Sequence, residues 1–285
     1  MNLTTPKTIL VTGATGQVGR HLVSELLSAG HRVRALSRNP EAANLPEAVD
    51  VIGGDFAGEL PGELFKDLDA AFVFAADGAP SFVAAAAAAG VPRLVLLSSL
   101  AAALEHERDR GSVSQLHHSA IEEVVRESGV AWTILRPGTF ANNLLTWAQP
   151  IRYTGGVTGP YPTSAQAPIH EADVAAAAAV VLTTAGHDGK IYAMTGPQAL
   201  TRVDQLAAIG TAIGRELTFT ENTPEEFRAE MAQYGVADGI VTMLLDYWSD
   251  TVDQPDVVRS PEALTGRPAR TLADWARDHA ADFSG

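Results

Sequence analysis

The run Gly13-Ala14-Thr15-Gly16-Gln17-Val18-Gly19 constrains this chain more than any other stretch of it. Before it, residues 8–11 are a short apolar, β-branched run; after it, residues 17–29 carry apolar positions at helical spacing and stop at Gly30, a helix-ending residue. Strand, glycine turn and helix in that order open a βαβ unit whose backbone turns tightly enough to approach a pyrophosphate. The helix N-terminus then offers unpaired N–H groups and a partial positive charge to that anion. Each residue of the loop, from Gly13 to Gly19, is therefore expected at a dinucleotide site.

Residues 31–135 keep to the same plan. Further strands are expected at 31–36, 49–52, 70–75, 93–97 and 131–135, with helices at 80–89 and 114–127 between them. Six strands with right-handed crossovers give an α/β fold, a Rossmann-type doubly wound parallel sheet. Past Pro137 the alternation loosens. Helices are expected at 169–183 and 202–213, separated by a strand at 190–194. Thr223-Pro224-Glu225-Glu226 is a capping box with proline at the first helical position, opening a helix at 225–234; Gly235 ends it and 238–249 resumes as the second arm of a hairpin. The expected division is a dinucleotide-binding core, 1–136, and a smaller, mostly helical substrate-side region, 137–285, with crossings back to the core.

The end of the second strand bears on which dinucleotide. A carboxylate about 20 residues past the glycines would bind the ribose hydroxyls of NAD. Here Ser37-Arg38-Asn39 stands in that place, with Arg38 nineteen residues past Gly19. A guanidinium suits a phosphate dianion, so NADP(H) is preferred over NAD(H); the alternative is a solvated surface arginine.

Composition removes several classes. With 20 Lys+Arg against 34 Asp+Glu the net charge is −14, which repels nucleic acid and anionic membrane surfaces. There is no cysteine, hence no disulfide, thiolate ligand or thiol nucleophile. The alanine-rich runs at 82–89 and 174–182 are far shorter than the roughly 20 residues that span a bilayer. Met1 to Lys7 show no basic region followed by an apolar one, and the chain is read as cytoplasmic. No Gly-x-Ser-x-Gly elbow exists, and neither Glu105-His106-Glu107 nor His170-Glu171 has metal-ligand spacing with a third partner. The charged loop 105–110 reads as solvated. Only three of the 20 basic residues are lysine, a bias that fits a GC-rich bacterial genome and a place in aromatic secondary metabolism.

The glycine spacing, Leu135-Arg136-Pro137-Gly138-Thr139-Phe140, Thr195-Gly196-Pro197-Gln198-Ala199-Leu200-Thr201 and Gly266-Arg267-Pro268-Ala269-Arg270-Thr271-Leu272 together resemble the NmrA-like family of atypical short-chain dehydrogenases/reductases, nearly end to end. The resemblance implies Asp55 beside the adenine, Ala75 beside the adenosine ribose and Ser98 near the nicotinamide. It also implies Pro137, Gly138 and Phe140 as the wall of the nicotinamide end, and a family position at Asn143.

Most reductases of the wider superfamily protonate the carbonyl with Tyr-x-x-x-Lys. The five tyrosines, 153, 161, 192, 234 and 247, are followed four residues on by Val157, Ala165, Gly196, Asp238 and Thr251, so that pair is absent. The corresponding helix carries His118 and Glu122, four apart on one face. Two readings stand: a histidine raised by its carboxylate neighbour and donating a proton near neutral pH, or an exposed i,i+4 pair. His117 is expected at the surface.

Without the tyrosine, hydride can still be delivered to an acceptor that stabilises its own charge. A quinone yields a hydroquinone anion, and a ketone beside a phenol carries its own donor. Phe140 and Trp147, with Tyr234, Tyr247 and Trp248 on the helical hairpin, fit an aromatic substrate; the hairpin is either a lid or an amphipathic pair packed on the core. Asn143 either orients a polar substrate group or caps a helix. The functional expectation is thus an NADPH-dependent reductase of a quinone or an activated aromatic, polyketide-like ketone. The alternative is a non-catalytic NADP(H)-binding redox sensor acting through a protein partner.

Overall fold

The computed structural model describes residues 5–284; Met1 to Thr4, part of the segment read for a leader, and Gly285 lie outside them. Two compact units divide the chain, each assembled from separated stretches: 1–102, 117–137 and 171–193 form the first, and 103–116, 138–170 and 194–285 the second. Against the expected division, 103–116 groups with the second unit and 171–193 with the first.

In chain order the first unit opens with β1 (Thr8–Val11), α1 (Gln17–Ser28), β2 (Arg32–Ser37), β3 (Val49–Gly53), β4 (Ala70–Phe74), α2 (Ala79–Ala88) and β5 (Arg93–Leu97). Next come α3 (Val113–Glu127), whose first turn groups with the second unit, and β6 (Ala131–Pro137). The chain gives α4 (Ala148–Thr154), β7 (Gly156–Gly159) and β8 (Ala165–Gln166) to the second unit, then returns as α5 (Glu171–Thr183) and β9 (Lys190–Met194).

The sheet runs β3-β2-β1-β4-β5-β6-β9, and each pairing from β3 to β6 is parallel. Seven strands replace the six expected, because the stretch at 190–194 returns to the sheet beside β6. The strand order reverses between β1 and β4, and ligands of such sheets bind at the carboxyl ends of the strands there. Ile9, Leu10 and Val11 are fully buried, as a two-faced sheet requires. Burying Leu22, Val23 and Leu26 fastens α1 to this core, at about 1.5–3 kcal/mol per side chain. The neighbouring α5 is buried from Glu171 through Ala178 and again at Val181 and Leu182, which explains its alanine-rich run: small side chains let it sit close to α1. No described helix is long and apolar enough to cross a membrane.

The second unit continues with β10 (Leu200–Thr201), α6 (Arg202–Ile213), β11 (Thr218–Glu221), α7 (Pro224–Gln233) and α8 (Asp238–Asp253). The short helices α9 (Glu262–Thr265), α10 (Leu272–Asp278) and α11 (Ala280–Phe283) complete it. Trp275, Phe283, Ile151 and Ile209 are fully buried in its core. The capping box forms as its sequence dictates: the Thr223 hydroxyl accepts the Glu226 N–H at 3.1 Å and the Glu226 carboxylate accepts the Thr223 N–H at 2.9 Å. The hairpin of α7 and α8 packs on itself through Phe227, Val241 and Leu245, with the Phe227 and Trp248 rings 5.3 Å apart.

Candidate functional site

The glycine loop follows β1 at the strand-order reversal, and its geometry needs its glycines. Gly13 sits at φ +63°, a left-handed conformation, and the Gly16 N–H closes the turn on the Gly13 carbonyl at 2.9 Å. A Cβ on Gly19 would lie 2.0 Å from the Gly13 oxygen and 2.7 Å from the Ala14 Cα, so only glycine lets α1 start this close to the turn. Helix α1 has no side-chain cap and no acidic residue in its first turn, which leaves its N–H groups to an anion. Gly13, Thr15, Gly16 and Gln17 are exposed, Val18 is half-buried, and Ala14 and Gly19 are buried beneath them. Sequence reasoning missed Arg20, which donates to the carbonyls of Thr15 at 3.0 Å and Asn44 at 2.8 Å and braces the loop from outside.

Arg38, just past β2, is exposed and makes no hydrogen bond or ion pair among the described residues. Its strand neighbours are engaged: Arg32 donates to Thr8 at 3.0 Å, and Arg34 is paired with Asp50 at 2.8 Å and bonded to three carbonyls. The uncommitted guanidinium is the one that the spacing singled out. Together with the open helix terminus and a cradle that a Cβ would fill, it fits a dinucleotide carrying an additional phosphate. Asp55 is exposed and its carboxylate accepts the Ala57 N–H at 3.1 Å, a turn of its own making. Ala75 is buried, and its carbonyl lies 3.3 Å from His117 Nε2. His117 is therefore half-buried against the end of β4, not a surface residue as expected.

The pairing of His118 with Glu122 is corrected. Glu122 is 1% exposed and accepts from Ser98 Oγ at 2.6 Å, Arg136 Nε at 2.8 Å and Nη2 at 2.7 Å, and Arg126 Nη2 at 2.6 Å. Two permanently charged guanidiniums take the carboxylate that a titratable imidazole was expected to share. The His118 Nδ1 is buried with no partner among the described residues. Burial first, then the neighbouring His117, drives its pKa down to about 4, outweighing the opposing pull of Glu122. His118 is thus neutral near pH 7, the reverse of a histidine raised to donate. The Ser98 hydroxyl points its proton at Glu122, so the end of β5 is tied to α3 and β6 through one carboxylate. Arg136 was visible as a charged residue closing an otherwise apolar strand, and Arg126 as the other neighbour four residues from Glu122.

In the second unit, Gly138 donates to the Met194 carbonyl at 2.8 Å, and Phe140 bridges to Ile169 in parallel register. Asn143 is exposed; its neighbour Asn142 is the engaged amide, accepting Trp275 Nε1 at 2.9 Å. Trp147 and Trp248 flank Arg202, whose guanidinium lies 5.9 Å and 3.9 Å from their ring centres, with Phe219 at 5.4 Å. Burial in that aromatic cage lowers the Arg202 pKa to about 10, so it keeps its charge. The Tyr247 phenol accepts from Thr139 Oγ1 at 2.8 Å and donates to Asp256. Burial and the Asp256 charge push its pKa well above the usual phenol value, so it persists as a neutral donor to that carboxylate. Arg108 lies 5.0 Å over the Tyr247 ring and pairs with Asp250 and Asp256. The loop 105–110 is accordingly not wholly solvated, since the Arg108 side chain is only 9% exposed.

Residues 13–185 match a family described as NAD(P)H-binding. A reductase from Streptomyces griseus, named (4-alkanoyl-5-oxo-2,5-dihydrofuran-3-yl)methyl phosphate reductase, is 38% identical over 97% of this chain and 99% of its own length. The NADPH-dependent quinone oxidoreductase of Escherichia coli, solved with NADPH, superposes with a TM-score of 0.79 at 26% identity, covering 95% of this chain and 99% of that one. The transcriptional regulator NmrA, solved with NADP, shares the fold at a TM-score of 0.72 and 18% identity over 96% of this chain and 95% of its own. A tight glycine loop opening an uncapped helix, a seven-stranded sheet reversing beside it and a match over most of that unit lead to one conclusion: the chain belongs to the NAD(P)H-binding family, with the NmrA-like Rossmann fold that its motifs suggested.

Proposed function

We propose that the chain is an NADPH-dependent reductase whose substrate is a quinone or an activated aromatic, polyketide-like ketone. The observation that carries the substrate class is the state of the helix after β5. Glu122 is held by two arginines and His118 is neutral near pH 7, so neither supplies a proton in step with hydride arrival. An acceptor reduced here must stabilise its own negative charge, as a quinone does, or carry an internal donor. When bound, the dinucleotide supplies the hydride. The chain's part is to hold it, with the Gly13–Gly19 loop and α1 on the pyrophosphate and Arg38 on the 2′-phosphate. Pro137, Gly138 and Phe140 are assigned to the nicotinamide end, and the exposed Asn143 amide to a polar substrate group.

The relatives support this reading. One is named for a 5-oxo-2,5-dihydrofuran bearing an alkanoyl group, and another for quinones. One is named a reductase and the other an oxidoreductase, and the sensor alternative is not favoured. We place the protein in the cytoplasm, where NADPH is regenerated. The test is NADPH oxidation with 1,4-naphthoquinone, a hydroxylated polycyclic ketone and cyclohexanone. Turnover of the first two and little of the third is expected. Efficient turnover of cyclohexanone would mean that a positioned acid exists and the substrate class is wrong.

A further inference from the structure

The second unit contains a groove to which the cofactor and the reacting carbonyl assign no role. The first turn of α3 presents Val113 and Leu116, three residues apart on one helix face and 49% and 59% exposed. Opposite them, α8 contributes Gly239 and Met243, one turn apart, and a Cβ on Gly239 would meet Val113 at 3.7 Å. Arg108 and Asp246 close the rim of a cavity of about 420 Å³, within the range of small-molecule sites.

This groove adjoins the Tyr247 cluster through Arg108. Asp246 on its rim immediately precedes Tyr247 in α8. Arg108 belongs to both, lining the groove while its guanidinium lies over the Tyr247 ring at 5.0 Å. Its Nε–H is buried and has no acceptor among the described residues. The rim cations are already compensated, Arg108 by Asp250 and Asp256 and Arg110 by Glu107, so an anionic ligand group would lose hydration for little new attraction. An apolar group would instead take Val113, Leu116 and Met243 out of water.

We propose that the groove is a specificity subsite for an apolar arm, alkyl or aryl, borne by the conjugated carbonyl substrate. The inference rests on the reductase reading. Each methylene buried there is expected to raise affinity by about threefold to fourfold.

The test uses the full chain saturated with NADP⁺ and carbon-13 labelled at its methionine methyls. Four methionines keep the spectrum readable, and the absence of cysteine leaves no thiol for a quinone to arylate. With the Met243 signal assigned through Met243→Leu, 2-hexyl-1,4-naphthoquinone is expected to shift it and 2-methyl-1,4-naphthoquinone is not. In Leu116→Asp, a change at an exposed position, the hexyl-to-methyl affinity ratio is expected to fall about tenfold. A Met243 signal unmoved by the hexyl compound, or moved equally by both, overturns the proposal. So does a signal that moves with protein concentration alone, which would put a second copy of the chain on the groove. Turnover is read separately, on the same protein with NADPH in place of NADP⁺. Arm-dependent binding without NADPH oxidation refutes the reductase reading and upholds the groove; oxidation indifferent to arm length does the opposite.

Discussion

Replacing Glu122 by alanine removes the acceptor of four hydrogen bonds, one from Ser98, one from Arg126 and two from Arg136. Removing one partner of a buried ion pair costs about 3–5 kcal/mol, because the remaining charge stays buried without compensation. The two arginines differ in how far they can escape: the Arg126 side chain is 38% exposed and swings into water, whereas Arg136 is 14% exposed and cannot. One stranded guanidinium places the loss near the lower figure, about 3 kcal/mol. For a chain of this size that corresponds to a fall in Tm of about 6–12 °C. The assay is thermal unfolding followed by circular dichroism, with and without saturating NADP⁺. The double change Glu122→Leu with Arg136→Met, which removes both buried charges, should recover most of the loss. A Glu122→Ala protein melting within about 1 °C of the wild type, yet with kcat reduced a hundredfold or more, would refute the reasoning. That pattern belongs to a proton donor, not to a clasp between α3, β5 and β6.

Gly19→Ala puts a Cβ 2.0 Å from the Gly13 carbonyl, whereas at Gly16 the same atom is 3.2 Å away. NADPH binding by titration calorimetry should weaken about a hundredfold for the first change and far less for the second; equal losses would mean that the loop does not hold the pyrophosphate. Arg38→Ala is expected to weaken NADPH about 10- to 100-fold, the worth of charge-assisted hydrogen bonds to a phosphate, with NADH binding unchanged. An equal effect on both cofactors would remove Arg38 from the 2′-phosphate. His118 supplies a pH test with a definite sign. Its folded pKa of about 4 lies below the ordinary 6.5. Between those values the unfolded chain binds a proton that the folded chain refuses, so stability falls as pH drops through that window. Tm measured at pH 6.5 and 4.5 should fall less in His118→Gln than in the wild type, and identical slopes would contradict a buried neutral imidazole.

Much of the secondary structure of both units is legible in the sequence because its determinants are local. A glycine loop, a proline-led capping box and the period of apolar residues each act within a few positions along the chain. They set the strand at 93–97 and the helix at 202–213 to the residue. Arg38 is singled out in the same way, by its distance from the glycines, and the fold leaves it exposed. Which partners the charged groups choose was not local. Glu122 has a neighbour four residues away on either side, His118 and Arg126, and α3 alone favours neither. The sheet decided the matter by bringing Arg136 to the end of β6: in a site closed to water, a carboxylate pairs with the cations that cannot shed their charge. Tyr247 and Thr139 meet across 108 positions, and Arg108 and Asp250 across 142. The seventh strand is of the same kind, since 190–194 reads as a strand by itself but its place beside β6 depends on where α5 packs. Sequence determined which segments become helix, strand and tight glycine loop, because those choices are made by neighbouring residues. Tertiary structure alone decided which ionisable groups are buried and which are paired, because burial and long-range pairing exist only once the chain has folded.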